Sequence, residues 1–433
     1  MARWRRGRVD IVHSVTRRSA MVATGAAFAA AITGCDQAAN GSGATGNGGT
    51  ASKGKAKVTL IGDGSTSDTG PQPHQPTLPS LNPGTAPPQF VVFSWDGGAE
   101  TGDHMLTRFR KVMKDVGGSM TIFLSGLYLL PRAKADLYKP PRNRVGASDI
   151  GYLTDESIRR TITGIRDAWL EGHEIGTHFN GHFCGGSGSV GNWSTADWTS
   201  EIEQAEAMVM KWKTNTGFTD LPPFPFDYRT ELIGSRAPCL MGQEALLPAA
   251  VAAHWRYDSS VGAPQMWPKH YADSSLWLLP MSQVPFPGHT FEVIAMDYNY
   301  MANQAGPKPT KDPTNYAKWK AEALGALVAG HERAVSGNRA PLIIGNHFET
   351  WNGGIYMDAV EEAMRKFGDA ADTYLVSFRQ LVQWLDAQNP ALLAELRDLP
   401  VGQAPAGGWA SFGAHASSAP STDSAEPDGP LGE

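Results

Sequence analysis

Between residues 89 and 388 short apolar runs alternate with stretches whose apolar positions recur at helical spacing. Phe90-Val91-Val92-Phe93-Ser94-Trp95 is the first run, apolar on both faces like a strand buried in a parallel sheet. Met120-Thr121-Ile122-Phe123-Leu124 is the second. A helix is predicted from Asp155, with Ile158, Ile162, Ile165 and Trp169 on one face, Thr154 or Asp155 as cap, and Gly172 as its end. Ser194-Thr195-Ala196-Asp197 opens another helix, to Lys213, in the manner of a capping box. Further strands are predicted at 232–234, around 255–257, and at 276–279, 291–296, 342–344 and 374–376, with helices over 314–334, 355–367 and 377–388. Alternation of this kind predicts an α/β fold with a parallel sheet. Polar and charged residues gather just after strand after strand, which favours a (β/α) barrel with its chemistry at the carboxyl ends of the strands.

The flanks have a different character. Residues 36–88 are rich in Gly, Ser, Thr, Asn and Pro, and are predicted to be a disordered tether; 399–433 reads as a disordered tail of the same kind. That leaves 89–398 as the folded domain. Residues 1–35 carry Arg3, Arg5, Arg6, Arg8, Arg17 and Arg18 ahead of a small-residue apolar run from Ala20 to Ile32, a signal peptide rather than a span. The run ends Ala31-Ile32-Thr33-Gly34-Cys35, which resembles a bacterial lipobox with lipidation at Cys35, and Arg17-Arg18 resembles a twin-arginine export signal. The expected location is outside the cytoplasm, either on the outer face of the membrane or secreted. Formal charge is −6 overall and −11 without the first 34 residues, which hold six Arg and one Asp. Such a chain is poorly suited to nucleic acid. Beyond Cys35 only Cys184 and Cys239 remain. In an oxidising compartment they can pair, or one thiol can ligate metal beside the histidines.

The candidate chemistry centres on Gly172-His173-Glu174-Ile175-Gly176-Thr177-His178-Phe179-Asn180-Gly181-His182. His173-Glu174 begins like a zincin helix, but HExxH needs a histidine at 177, where Thr177 stands. His178 and His182 are instead the pair that one helical turn would bring together around a shared cation, since neutral imidazole is a preferred ligand of zinc-like ions. Asp96 follows the first strand, Arg236 a fourth, Asp258 a fifth, and His347 the long apolar run at 342–344.

In that order these residues resemble the polysaccharide deacetylases of carbohydrate esterase family four. The likeness is carried by Ser94-Trp95-Asp96-Gly97-Gly98, by 172–182, by Arg236-Ala237-Pro238, by Tyr257-Asp258-Ser259-Ser260 and by His347. It implies a distorted (β/α) barrel and metal-dependent removal of acetyl groups from an N- or O-acetylated polysaccharide. By that resemblance His178 and His182 hold a divalent ion, most simply Zn, with Co or Ni as alternatives. Asp96 is then the general base, His347 the general acid, Arg236 the group that orients Asp96, and Asp258 the partner of Arg236. A backbone N–H near Cys239 would serve the oxyanion, and Trp95, Pro238, Asp297 and Trp351 would line the substrate cleft. Trp193, Trp198 and Trp267 are further indoles for either the cleft or the core. An acetylated polysaccharide, a membrane reached through the lipid at Cys35, and a monomeric state complete the expectation.

One departure matters. The family's second carboxylate, a metal ligand, is Gly97 here. Glu100, Asp103, His104 and Glu349 are the other donors near the motifs. A catalytically impaired carbohydrate-binding protein on the same barrel is therefore the alternative reading. A solute-binding lipoprotein would share the anchor but needs two similar lobes about a hinge, and no such duplication is visible.

Overall fold

The computed structural model describes residues 58–414. The expected signal peptide, Cys35 and residues 36–57 lie outside the described residues, as does the tail beyond 414.

The apolar runs form a curled parallel sheet. Its strands are β1 (Gln89–Gly97), β2 (Thr121–Leu124), β3 (Glu174–Thr177), β4 (Gly234–Ser235), β5 (Tyr257–Asp258), β6 (Trp277–Leu278), β7 (Leu342–His347) and β8 (Thr373–Leu375). Their spatial order is β7-β1-β2-β3-β4-β5-β6, all parallel, with β8 also paired to β1. Beyond β6 the short stretch Lys269–His270 pairs antiparallel as the last strand, and the sheet does not close from there onto β7. A small three-stranded sheet (262–264, 281–285 and 292–294) covers that side and touches β7 through a bridge from Met296 to Gly345. The result is the expected distorted (β/α) barrel. The run at 291–296 belongs to this side sheet, where it pairs antiparallel, and is not a barrel strand.

Helices pack outside. The main ones are α1 (Met105–Asp115), α2 (Asp155–Leu170), α3 (Thr195–Met210), α4 (Asp297–Gln304), α5 (Tyr316–Ser336), α6 (Ile355–Gly368) and α7 (Phe378–Asp386). The Ser194–Asp197 capping box forms as expected, and Thr154 caps α2. Alternate residues of β1 face opposite layers. Val91, Phe93 and Trp95 join Phe109, Ile122 and Leu124 in the main core, whereas Phe90 and Val92 join Phe123, Tyr257 and Ile343 in the second. This alternation fixes the site, because Trp95 outward means Asp96 inward. The amino end of the barrel is plugged by α7. Phe378 N–H donates to Thr121 Oγ1 at 2.9 Å and Arg379 N–H to Glu174 Oε2 at 2.8 Å, tying the helix to the first residues of β2 and β3.

Two boundaries differ from the sequence reading. Residues 58–88 are packed, not a tether: 59–61 and 66–68 pair antiparallel, Thr66 bridges to Phe224, and Leu81 is buried. Polar groups supply the hold that composition hides. Gln72 Nε2 donates to the carbonyls of Trp169 (3.0 Å) and His173 (2.8 Å), and Trp384 Nε1 to that of Pro79 (2.7 Å). Likewise residues 399–414 return to this flank, with Phe412 buried and its carbonyl accepting from Gly84 N–H. Among the described residues no helix is long and apolar enough to cross a membrane.

Candidate active site

Four of the anticipated residues meet at the carboxyl ends of adjacent strands. Asp96 is the penultimate residue of β1, and His347 ends β7 directly opposite it in the ladder. His178 follows β3 and Arg236 follows β4, one residue beyond each strand. Register thus converts positions far apart in sequence into neighbours.

Asp96 is buried, and its Oδ1 accepts from Arg236 Nη1 at 2.9 Å. Burial alone would raise its carboxyl pKa. The charge and hydrogen bond of Arg236, with the charge of His347, outweigh burial and hold it below the usual carboxylate range. Among the described residues nothing donates to Oδ2, which is left for a ligand. Arg236 is fully buried, donates from Nε and Nη2 to the carbonyl and hydroxyl of Ser259 (3.1 and 3.0 Å), and lies over the Phe123 ring at 4.7 Å. Arg236 and Asp96, paired in the sequence reading, are thus brought into contact.

Asp258 does not pair with Arg236. It accepts from Ser235 Oγ (3.1 Å), Ser260 N–H (3.1 Å) and Ser260 Oγ (2.7 Å), and burial raises its pKa. Its work is to shape the turn that presents Ser259 to the guanidinium.

The histidine pair converges through a loop and not through the helical turn its spacing suggested. Phe179 and His182 are left-handed (φ 58° and 56°), and the two imidazole centroids come within 5.1 Å. His178 Nδ1 lies 2.8 Å from the carbonyl of Arg236, so it carries the proton and Nε2 keeps its lone pair. Burial lowers the pKa of both, that of His182 to about 3, so both are neutral at neutral pH. Two neutral imidazoles suit a divalent cation, but among the described residues no carboxylate lies close enough to both to complete a set of three donors.

Gly97 offers no more. Its φ is +96°, and an added Cβ would lie 3.1 Å from Tyr128 Cε2, so the ring of Tyr128 occupies the space a side chain there would need. Glu100 is engaged at α1, where its Oε2 accepts from Thr107 N–H (2.7 Å) and Oγ1 (2.8 Å), and the His104 side chain is exposed.

Across the mouth, His347 has the opposite character. Its Nδ1 lies 2.8 Å from Asp297 Oδ1, and its N–H donates to Asp297 Oδ2 at 2.7 Å. Burial disfavours the imidazolium. The charge and hydrogen bond of Asp297, with Asp96 and Glu349 further off, prevail and raise its pKa to about 9. Asp297 was expected to line the cleft; it is instead buried beneath His347 and bonded to it. Its signal in the sequence was the apolar run before it, which Asp258 shares.

Of the other cleft residues, only Trp351 lies beside the chemistry, 5.2 Å from the His347 ring and packed against Tyr298. Trp95 is buried and stacked on Phe348, on the outer side of β1. Trp193, Trp198 and Trp267 are buried as well, as is Pro238. Cys184 and Cys239 form a disulfide beside His182, whose Nδ1 is 3.4 Å from Cys184 Sγ. Bonded sulfurs are not thiolate ligands, so the pair does not join the metal set.

Because the disulfide closes a loop across 55 positions, its removal by Cys184→Ser and Cys239→Ser is expected to cost about 2–4 kcal/mol. Chemical denaturation checks this, and an unchanged midpoint would show the bridge to be dispensable.

No family model matches the sequence, and no curated protein matches it. Solved structures are similar over most of the chain. A Mycobacterium smegmatis protein described as a polysaccharide deacetylase shares 15% identity over 72% of this chain and 97% of its own, with a TM-score of 0.43. For a carbohydrate esterase of family 4 from Streptococcus mutans the values are 16%, 67%, 86% and 0.37. For a family 4 pseudoenzyme from Bacillus anthracis they are 10%, 71%, 69% and 0.36. At such identities and TM-scores, likeness to an esterase and to a pseudoenzyme alike leaves the chemistry to this chain's own residues.

Proposed function

We propose that the chain is a metal-dependent hydrolase that removes acetyl groups from an N- or O-acetylated polysaccharide outside the cytoplasm. The observation that carries this reading is the split between its imidazoles. Two are neutral with a nitrogen free for a cation, and a third, held by Asp297, is protonated and stands opposite Asp96.

An acetamide resists hydrolysis because its carbonyl is a poor electrophile and its amine a poor leaving group. His178 and His182 would hold the ion, and Asp96 Oδ2 is kept for the proton; Zn is the simplest choice, with Co and Ni as alternatives. When bound, it supplies Lewis acidity to the acyl carbonyl and to the attacking water. Asp96, kept ionised by Arg236, takes the proton of that water. His347 enters the reaction protonated and gives its proton to the departing amine. Cys239 N–H has no acceptor among the described residues and is available to the oxyanion. Trp351 and Tyr298 offer flat faces to a sugar ring beside the acid.

Gly97 and Tyr128 favour a second reading, a carbohydrate binder of impaired activity, because no side chain at 97 can add to the donor set. Acetate release from chitin oligomers, peptidoglycan and acetylxylan, with and without chelator, separates the two. We expect release that chelation and His178→Ala both abolish. Release indifferent to both would remove the mechanism, and binding without release would establish the binder. Export, with lipidation at Cys35 and monomeric action at the outer face of the cytoplasmic membrane or after secretion, belongs to the same proposal.

A further inference from the structure

The segment from His178 to His182 holds two left-handed residues, and non-glycine residues stay there only where their surroundings fix them. A buried polar cluster does so. Tyr138 Oη accepts from Gly181 N–H at 2.9 Å and donates to Glu201 Oε1 at 2.9 Å. Asn180 Nδ2 donates to the main-chain carbonyl of Glu201 at 3.1 Å, and Gly126 N–H to that of Phe179 at 2.8 Å. Tyr138, Asn180 and Glu201 are all fully buried. No slack remains, since a Cβ on Gly181 would sit 2.6 Å from Tyr138 Oη and one on Gly126 2.5 Å from Asn180 Oδ1.

Two oxygens in this cluster have no donor: Glu201 Oε2 and Asn180 Oδ1. Both belong to one cluster, in which the Asn180 amide sits on the main-chain carbonyl of Glu201 and the Glu201 carboxyl on Tyr138. Buried acceptors without donors are costly, and two together more so. One proton between them satisfies both. We infer that Glu201 is a neutral acid whose Oε2–H donates to Asn180 Oδ1, and that this bond makes Glu201 the positioning residue for His182. Its chemistry stands on the cluster alone; its consequence for metal binding rests on the function proposed above. Burial acts in the same sense, raising the Glu201 carboxyl to about 7 even against the hydrogen bonds of Tyr138 and Asn180. Inverting the amide to serve an ionised Oε2 would turn Asn180 Oδ1 against the carbonyl of Glu201. One repulsion would replace another.

Glutamine mimics the neutral acid, whereas alanine removes the brace. Titration of the full chain with cobalt(II) alone, followed by its visible absorption, should give Glu201→Gln an affinity within about twofold of the parent, and Glu201→Ala one weaker by about 10–100-fold. The infrared spectrum of the parent should show a protonated carboxylic-acid carbonyl band that Glu201→Gln lacks, and this readout needs neither metal nor the alanine variant to fold. Absence of that band, or a glutamine variant as impaired as the alanine one, overturns the inference. If the parent takes up no cobalt, the metal reading fails, and the infrared band alone then upholds or overturns the neutral acid.

Discussion

Asp297→Asn is expected to lower deacetylation of an N-acetylated glycan at neutral pH by about 10²–10⁴-fold, the usual contribution of a general acid. Asp297 binds His347 twice, through Nδ1 and through the main-chain N–H, and also receives Tyr298 N–H at 2.7 Å. An asparagine can keep the geometry but not the charge. Without it, the burial that now opposes the imidazolium goes largely unanswered, and the His347 pKa falls from about 9 to below its ordinary value near 6.5. The sign follows directly. A group whose pKa is raised by folding contributes stability fully below its unfolded value, and loses it as pH climbs through the folded value. The His347–Asp297 pair therefore stabilises the native chain up to neutral pH and weakens through about pH 9. The alkaline limb of activity should follow the same value in the parent and move to the acid side of neutrality in the variant. A kcat profile whose alkaline limb stays in place would show that His347 is not the acid. Cleavage of an acetyl ester should suffer less, because an alkoxide leaves with less help than an amine, and the ratio of the two losses reports which bond the site is built for.

How much of this was legible without coordinates differs residue by residue. The long strands were, since Phe90–Trp95 and 342–344 are apolar on both faces, and their ends delivered Asp96 and His347. The histidine pair was legible as a pair but not as a loop, because spacing of four says nothing of left-handed φ at Phe179 and His182. Strands of two residues, such as β4 and β5, are too short for periodicity to locate. Trp95 failed as a cleft residue for a related reason: a strand buried on both faces does not reveal which face is inside. Asp258 and Asp297 both follow apolar stretches, and only the fold distinguishes them. One is pinned by Ser235 and Ser260, and the other begins α4 under His347. Residues 58–88 looked unstructured because side-chain to backbone bonds, like those of Gln72, leave no mark on composition.

Arg236→Met should destabilise the fold by about 3–5 kcal/mol, more than loss of the disulfide. The guanidinium is fully buried, and its removal leaves Asp96 with no cation bonded to it, two acceptors on Ser259 unserved, and the faces of Phe123 and Phe378 without their charge. The acid behaviour should change with it. Asp96 now has a pKa below its ordinary value, so the ion pair contributes fully above about pH 4 and is lost only as pH falls through the lowered value. Once Arg236 is gone, burial pushes the carboxyl up, and the acid limb of activity should climb towards neutrality. Asp96→Asn combined with Arg236→Met removes the orphaned charge along with its partner. Urea denaturation should then show much of the lost stability regained, while acetate release is abolished because no base remains. Equal midpoints for the single and double variants would mean that the cost of Arg236→Met lies in packing against Phe123 and Phe378, and that Asp96 does not owe its ionised state to the arginine.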